Sequence, residues 1–201
     1  MSKPYAESSE QNKEPILAVL REVFADCRRV LEIGSGTGQH AVYFGRHLPH
    51  LTWLTSDLPE SHTGIRLWLE EAALPNLASP LALDVNDAVW PVAEVDGVFS
   101  ANTAHIMDWE SVRRLFAGVG RVLTAGGVFA LYGPFHYGGR PTSDSNAHFD
   151  AWLRARDPAS GVRSFEDLDD LARLAGLHLL RDYPMPANNR TLVWRKAPAG
   201  Q

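Results

Sequence analysis

The chain has 201 residues, of which 45% are hydrophobic and 21% are charged, with a formal net charge of -5. This length and apolar content fit one domain with a sizeable core, and the composition gives no sign of disorder. The acidic charge argues against a nucleic-acid partner, because binding along a phosphate backbone requires clustered lysine and arginine. A polar start and the lack of a long apolar run predict neither a signal peptide nor a membrane span, so we expect a cytoplasmic protein.

Hydrophobic periodicity predicts helices and strands that alternate along the chain. A polar arm leads into an amphipathic helix over 14–24, with Pro15 in its first turn. A short apolar strand, Arg29–Ile33, then ends abruptly in glycines and is followed by a helix over 39–48. The same unit repeats, with strands predicted at 51–56, 81–85, 97–101 and 128–132 and helices at 64–73 and 109–123, the second closed by glycines at 126 and 127.

The C-terminal part departs from this alternation. Residues 134–146 predict a long loop, followed by helices over 147–156 and 165–175 and strands over 177–183 and 191–196. Only residues 184–190 separate these last strands, so they should pair antiparallel, since a parallel pair needs a longer crossover. The sequence therefore predicts a doubly wound α/β fold, whose mostly parallel seven-stranded sheet ends in an antiparallel hairpin.

The glycine loop, residues 32–38 with the sequence Glu-Ile-Gly-Ser-Gly-Thr-Gly, follows the first strand. A glycine-rich turn at this place lets the backbone approach a ligand closely. The dinucleotide fingerprint G-x-G-x-x-G requires a third glycine where this chain has Gln39. The spacing thus disfavours an NAD-dependent oxidoreductase, which stays open as an alternative.

The segment Val30 to Gly38 resembles the first motif of the class I S-adenosylmethionine (SAM)-dependent methyltransferases. This resemblance implies SAM as cofactor and S-adenosylhomocysteine (SAH) as product. It also implies that Glu32 helps to hold the cofactor's amino group, directly or through water. The loop residues that would admit its methionine and ribose are Gly34, Ser35, Gly36, Thr37 and Gly38.

Two further acids follow predicted strands and extend the resemblance. Asp57 ends the second strand, where the methyltransferases and the dinucleotide-binding proteins both place an acid on ribose hydroxyls, so it indicates a nucleoside ligand without choosing between them; Leu58 lies beside it. Asp84 stands at the end of the third strand, where the family places an acid near the adenine amino group, and Val85 would flank the ring. Acidic groups suit a ligand that carries an ammonium and a sulfonium.

Other residues belong to the site through the resemblance or through their position after strands four and five. Residues 12–16, 101–107 and 185–190 resemble an uncharacterised methyltransferase-like subfamily found in bacteria and animals, a domain of unknown function. Asn102 and Lys13 are predicted to contact the cofactor. The ammonium of Lys13 would pair with the carboxylate of the cofactor. The predicted substrate-binding residues are Asn12, Tyr132, Phe135, Tyr137, Asn188 and Asn189.

His105 is the first candidate for a general base, because an imidazole titrates near neutral pH and this one follows a strand end. An equally weighted alternative is that it stacks on adenine or bonds a loop carbonyl. The histidines lack a convincing metal-ligand arrangement, so we predict no metal site.

The whole chain, 1–201, is expected to form a single methyltransferase domain in which residues 1–26, an arm and a helix, cover the cofactor site. We expect a small-molecule substrate, no membrane or nucleic-acid partner, and a monomer or homodimer. Methyl transfer would proceed by in-line displacement, with alignment of the acceptor and exclusion of water. A catalytically silent SAM-binding protein is the alternative from another class, because no unmistakable base is present.

Overall fold

The computed structural model of the protein describes residues 3–198. The helices are α1 Glu7–Val23, α2 Gln39–His47, α3 His62–Ala72, α4 Trp109–Val122, α5 Asp144–Arg156 and α6 Phe165–Leu174. The strands are β1 Arg29–Ile33, β2 Thr52–Asp57, β3 Leu77–Ala82, β4 Val95–Ala101, β5 Leu123–Gly133, β6 Phe135–His136, β7 Arg163–Ser164, β8 Leu177–Pro184 and β9 Arg190–Lys196. Short 3-10 turns occur at Pro59–Ser61 and Pro186–Asn188.

Seven strands form the main sheet in the order β3-β2-β1-β4-β5-β9-β8. Strands β1 to β5 pair in parallel, whereas β9 pairs antiparallel with both β5 and β8. The predicted fold class and the C-terminal hairpin are therefore confirmed. The strand order reverses between β1 and β4, and ligands of such sheets bind in the crevice beyond the carboxyl ends of the strands at this point.

Alternating side chains place one apolar core on each face of the sheet. On β5, Val128 and Ala130 face the core that includes apolar residues of α1 and α2, whereas Phe129 and Leu131 face the core that includes apolar residues of α4 and α6. This alternation follows from the two-residue period of a strand. Because both faces are covered, the carboxyl-end edge of the sheet is left for a ligand site.

The leading helix begins earlier than predicted. It starts at Glu7 rather than at residue 14, so Asn12 and Lys13 lie within it, and Pro15 lies in its interior instead of its first turn. Residues 7–13 are polar and carry no apolar periodicity, but Asn12 is buried against His40 of α2, with Oδ1 2.7 Å from Nε2. A tertiary contact therefore extends this helix beyond its apolar stripe.

Three other boundaries differ from the predictions. Strand β3 spans Leu77–Ala82 instead of 81–85, and its Pro80 is tolerated because β3 lies at an edge of the sheet. Strand β5 begins at Leu123, and the glycines predicted to stop the helix lie in an irregularity of its pairing with β4. Part of the predicted loop 134–146 forms β6, which pairs with β7 in a separate two-stranded sheet, and α5 begins at Asp144.

Candidate functional site

The first cavity, of about 550 Å³, opens beyond the carboxyl ends of β1, β2 and β4. It lies at the reversal of strand order, where a doubly wound sheet binds its ligand. Its lining combines the glycine loop, the ends of the strands and the turn after β4. The lining residues used below are Gly34, Gly36, Asp57, Leu58, Asp84, Val85, Asn102, Thr103, Ile106 and Met107.

Two positions of the loop require glycine. Gly34 has a φ of +74°, and a Cβ on it would lie 2.6 Å from Cγ2 of Thr103. Gly36 has a φ of +57°, which side chains rarely adopt, and nothing lies within 4 Å of its Cβ position. The loop therefore passes close to the turn after β4 at Gly34 and is open at Gly36, where it borders the cavity.

Both acids predicted at the ends of strands line this cavity. The two carboxylate oxygens of Asp57 accept separate backbone hydrogen bonds, Oδ2 from the amide of Gly36 at 2.8 Å and Oδ1 from the amide of Leu58 at 2.7 Å. Asp84 follows the end of β3 by two residues, and its Oδ1 accepts from the amide of Asn86 at 2.9 Å. These bonds fix the carboxylates while leaving lone pairs for a ligand.

Apolar side chains form another part of the wall. Val85 is buried, whereas Leu58 is 41% exposed although it is large and hydrophobic. Leu58, Val85 and Ile106 share the cavity with the two acids. The cavity thus pairs flat apolar surface with negative charge.

Glu32 lies beneath the glycine loop and not at the wall of the cavity. Its side chain is buried, and Oε2 accepts hydrogen bonds from Oγ of Ser35 at 2.8 Å and from Nε1 of Trp53 at 3.1 Å. Burial raises the pKa of Glu32 to about 7, and the two hydrogen bonds oppose this shift. Glu32 therefore braces the loop from below, and a direct contact with a ligand would require the loop to open.

The far end of the loop contacts the rest of the protein. A Cβ on Gly38 would lie 3.1 Å from Cα of Ile65, so this glycine allows α2 to approach α3. Thr37 lines a smaller neighbouring cavity of about 370 Å³ together with Gly36 and Pro4. Its hydroxyl lies 3.0 Å from Oε1 of Gln39.

Gln39 anchors the N-terminal segment to the loop. Its Oε1 accepts a hydrogen bond of 2.6 Å from the amide of Ala6, and its Nε2 donates one of 3.4 Å to the carbonyl of Ala6. Upstream, Nε1 of Trp68 donates to the carbonyl of Pro4 at 2.7 Å, and the Lys3 ammonium lies 3.6 Å from the Trp68 ring centroid. Sequence reasoning noted Gln39 only as a departure from the dinucleotide pattern, and its pairing with Ala6 carries no local signal.

Lys13 lies away from the first cavity. Its ammonium pairs with Glu10 on the same helix and lies 4.9 Å from the centroid of the Tyr43 ring. The hydrogen bond to Glu10 raises the pKa of Lys13. The structure does not bring Lys13 to the wall where its pairing with a ligand carboxylate is predicted.

The second cavity, of about 460 Å³, adjoins the first and shares Asn102 with it. Asn102 follows β4 directly and has a φ of +59°, which a short amide side chain tolerates better than most. The second cavity is enclosed by α1, α5, the ends of β4 and β5, and the turn between β8 and β9. Its lining is Ser8, Gln11, Asn12, Pro15, Asn102, Tyr132, Pro134, Ser145, Asn146, Phe149, Pro186, Ala187 and Asn189.

Three of the residues predicted to bind substrate, Asn12, Tyr132 and Asn189, line the second cavity. Burial raises the pKa of the Tyr132 hydroxyl, and the side chains of Asn12 and Asn189 counter this shift. The side chain of Asn188 is outside the lining, but its backbone carbonyl accepts a hydrogen bond of 3.1 Å from Nδ2 of Asn146. Asn146 and Phe149 on α5 were missed, because the sequence does not indicate where α5 packs.

The other two predicted substrate residues lie outside both cavities. Phe135 is buried in the core on the α4 side of the sheet. Tyr137 stacks on Phe165, and its hydroxyl donates at 2.8 Å to Asp182, which also accepts from Arg190. Phe135 is thus a core residue, and the ring and hydroxyl of Tyr137 are both occupied by contacts within the protein.

His105 is buried and lines neither cavity. Its ring packs edge-on against Phe149 at 5.2 Å, and a Cβ on Gly133 would lie 3.7 Å from its Nδ1. Burial lowers the pKa of His105 to about 4, with a smaller contribution from the positive charge of Arg163. At pH 7 this imidazole is therefore neutral, and it packs behind Phe149, which lines the second cavity.

Arg163 holds the turn after β4 in place. Its buried guanidinium donates from Nε to the carbonyl of Ala104 at 3.1 Å, and from Nη2 to the carbonyls of Met107 and Ala159. The turn carries Thr103, Ile106 and Met107 into the first cavity. The sequence does not predict this role, because no local pattern around Arg163 indicates contacts with residues more than fifty positions earlier.

Within residues 3–198, no group of three His, Cys, Asp or Glu side chains is placed to hold a metal ion. No helix in the same range is both long enough and apolar enough to cross a membrane. Cys27 is buried, and burial raises the pKa of its thiol to about 12.

Comparison with known proteins gives one family and a set of structural relatives. The model of a family described as a protein of unknown function, DUF938, matches residues 3–196. An O-methyltransferase family protein from Burkholderia thailandensis superposes with a TM-score of 0.82 and 19% identity, covering 93% of this chain and 57% of that one. The SAM-dependent methyltransferase SibL, in its apo form, gives 0.80 and 22%, covering 94% and 56%.

A third structure, PigF with SAH, superposes with a TM-score of 0.77 and 19% identity, covering 94% of this chain and 64% of that one. The chain therefore spans a little over half the length of these solved structures. At such low identity the similarity is one of fold alone, and the chain shares its fold with these methyltransferases.

Proposed function

Since the chain belongs to the DUF938 family and has the fold of SAM-dependent methyltransferases, we propose that it is itself a SAM-dependent methyltransferase acting on a small molecule. The observation that carries this proposal is the first cavity, which Asp57 and Asp84 line together with the glycine loop. SAM would supply a methyl group bound to a positively charged sulfur, which is a strong electrophile. The acidic wall suits a ligand with that charge.

Residues of the first cavity suit the ribose and the adenine ring of such a cofactor. Asp57 is placed by two backbone amides and keeps lone pairs for ribose hydroxyls. Leu58, Val85 and Ile106 offer apolar surface to a flat ring, with Asp84 at its edge. The open backbone at Gly36 admits the ligand, and the anchored segment 3–6 would cover it, with Gln39 holding Ala6.

Asn102 lines both cavities, so an acceptor in the second cavity would lie beside a cofactor in the first. Held by Asp57 and Asp84, SAM would donate its methyl group to a lone pair of the acceptor, and sulfur would keep the electron pair of the carbon–sulfur bond, giving SAH. The acceptor then loses a proton to solvent. Alignment and exclusion of water would supply the acceleration. His105, which is neutral and lines neither cavity, would pack beside Gly133 rather than touch the acceptor.

Isothermal titration with SAM, SAH and NAD tests the proposal. We expect SAM and SAH to bind in the micromolar range or tighter and NAD not to bind. Binding of NAD without SAM would instead support the oxidoreductase alternative. Methyl release measured across a metabolite panel then separates a methyltransferase from a catalytically silent SAM-binding protein, which would bind SAM without turnover.

A matched pair of variants locates the binding site. Leu58→Arg replaces apolar surface proposed to contact the ring by a long cation, which would also compete with the ligand for the neighbouring carboxylate of Asp57. Val89→Arg makes the same change at a residue that is 84% exposed and outside the cavity. We expect SAM affinity to fall at least tenfold in Leu58→Arg and to stay unchanged in Val89→Arg; equal affinities would place the ligand elsewhere.

A further inference from the structure

The second cavity is lined by neutral polar groups. Among the described residues 3–198, its lining contains no Asp, Glu, Lys, Arg or His. Five side-chain amides face it instead, those of Gln11, Asn12, Asn102, Asn146 and Asn189. We infer that this cavity selects an uncharged, planar small molecule that carries hydrogen-bond donors and acceptors. The inference rests on the proposed function and names the substrate class of the same site.

Asn146 gives the cavity an acceptor of fixed orientation. Its Nδ2 donates to Oγ1 of Thr142 at 2.7 Å and to the carbonyl of Asn188 at 3.1 Å, so both amide hydrogens are used. The remaining capacity of this buried side chain lies on Oδ1, which can only accept. The same bonds tie α5 to the turn between β8 and β9, so the acceptor is held by two elements.

Two buried imidazoles behind the wall are neutral as well. Oδ1 of Asn12 lies 2.7 Å from Nε2 of His40, which is buried under α1 and stacks on Phe44. Burial lowers the pKa of His40 to about 4, so this imidazole carries no charge at pH 7. His105, which contacts the other side through Phe149, is neutral for the same reason.

Aromatic rings supply the apolar part of the wall. Tyr132 at the end of β5 and Phe149 on α5 line the cavity with the prolines at 15, 134 and 186. Rings favour flat, apolar partners in offset or edge-on contact. A planar ligand can therefore contact the rings while the amides bind its polar edge.

The absence of a counter-charge in the wall determines the selectivity. An ion that enters the cavity gives up its hydration and finds no opposite charge in return, which is costly. A neutral molecule exchanges hydrogen bonds with water for hydrogen bonds with amides at little net cost. We therefore expect a neutral ligand to bind at least tenfold more tightly than an ion of the same size and shape.

Three probes of matched size test this selectivity. They are 4-hydroxybenzamide, which is neutral, 4-hydroxybenzoate, which is an anion, and tyramine, which is a cation. Their dissociation constants are measured by ligand-observed NMR at pH 7.5, with and without SAH. We expect 4-hydroxybenzamide to bind at least tenfold more tightly than either ion.

Two variants show that the probe occupies this cavity. Asn189→Asp places a carboxylate in the wall and should shift the preference at least tenfold toward tyramine. His148→Asp adds the same charge to an exposed position on α5 outside the lining, so the preference for the neutral probe should remain. A preference that shifts equally in both variants would overturn the assignment to this cavity.

Two results with the wild-type protein would also overturn the inference. One is an ion that binds as tightly as 4-hydroxybenzamide, and the other is a lack of binding by all three probes. Failure of the proposed function is distinguishable from both, because it appears as a lack of SAM and SAH binding in titrations without any probe.

Discussion

The backbone amide of Gly36 donates a hydrogen bond of 2.8 Å to Oδ2 of Asp57. This bond joins the glycine loop after β1 to the acid at the end of β2. Because the amide of Leu58 bonds the other oxygen, the carboxylate of Asp57 acts on the protein side purely as an acceptor. Asp57 therefore holds the glycine loop in place and also contributes a negative charge to the wall of the first cavity.

Asp57→Asn should consequently be a disruptive change. An asparagine replaces one acceptor oxygen by an NH2 group, which would then face a backbone amide that is also a donor. We expect the free energy of unfolding to fall by about 1–3 kcal/mol and the affinity for SAH to fall at least tenfold. Urea unfolding and isothermal titration measure the two effects. Asp87→Asn, at an exposed residue outside the cavity, is the control and should change neither.

Gly34→Ala should cost more stability than Gly36→Ala. Both residues have positive φ, and placing alanine there costs about 1–2 kcal/mol. At Gly34 the new methyl would also meet Cγ2 of Thr103, which adds about 1–3 kcal/mol. Thermal and urea unfolding of the two variants compare these losses.

A double variant separates the clash from the backbone strain. Thr103→Ser removes Cγ2 and keeps the hydroxyl, whose oxygen lies 2.6 Å from Oγ of Ser100. Combined with Gly34→Ala, it should restore most of the extra loss but not the cost of the positive φ. If the double variant were as unstable as the sum of the two single variants, contact with Thr103 would not explain the need for glycine.

Glu32 should make stability depend on pH. Burial raises the pKa of Glu32 from 4.5 to about 7. Between these values the folded chain keeps a proton that the unfolded chain has lost, so the free energy of unfolding falls as the pH rises from 4.5 to 7. Below this window the contribution is fully present, and above it the contribution is lost; its size is on the order of 3 kcal/mol.

Glu32→Gln tests this assignment, since glutamine does not titrate and its oxygen can still accept from Ser35 and Trp53. Urea unfolding at several values of pH between 4.5 and 8 should show that the variant loses the downward trend of the wild-type protein. Glu70→Gln, at an exposed position on α3, should keep that trend. An unchanged trend in Glu32→Gln would mean that another group titrates in this range.

Arg163→Met should loosen the turn after β4. The change removes the hydrogen bonds to Ala104, Met107 and Ala159, and we expect a loss of about 2 kcal/mol in the free energy of unfolding. Amide hydrogen exchange of Ile106 and Met107, whose amides bond the carbonyl of Thr103, should accelerate. Because both side chains line the first cavity, the affinity for SAH should also fall.

The control for this change is Arg156→Met on α5, where the guanidinium is exposed and lies over the ring of Trp152. It removes the same charge without touching the turn, so exchange at Ile106 and Met107 should stay slow. Unaltered exchange in Arg163→Met would show that the turn is held by its own backbone.

The sequence by itself determined the alternation of elements, the glycine loop, the acids at strand ends and the C-terminal hairpin. These features are local: a buried strand shows as a short apolar run, a close backbone approach requires glycine, and a short connection between strands dictates antiparallel pairing. Hence the sequence alone predicts the sheet and part of the lining of the first cavity, namely Gly34, Gly36, Asp57 and Asp84.

Only the tertiary structure decided which way side chains turn and which distant segments meet. Glu32 faces Trp53 below the loop, Lys13 faces Glu10, and His105 lies behind Gly133 because burial and packing from other elements fix their orientations. The second cavity combines segments from residue 8 to residue 189, and its neutral wall results from how α1 and α5 pack. No periodicity along the chain encodes that meeting, because it depends on contacts between residues far apart in sequence.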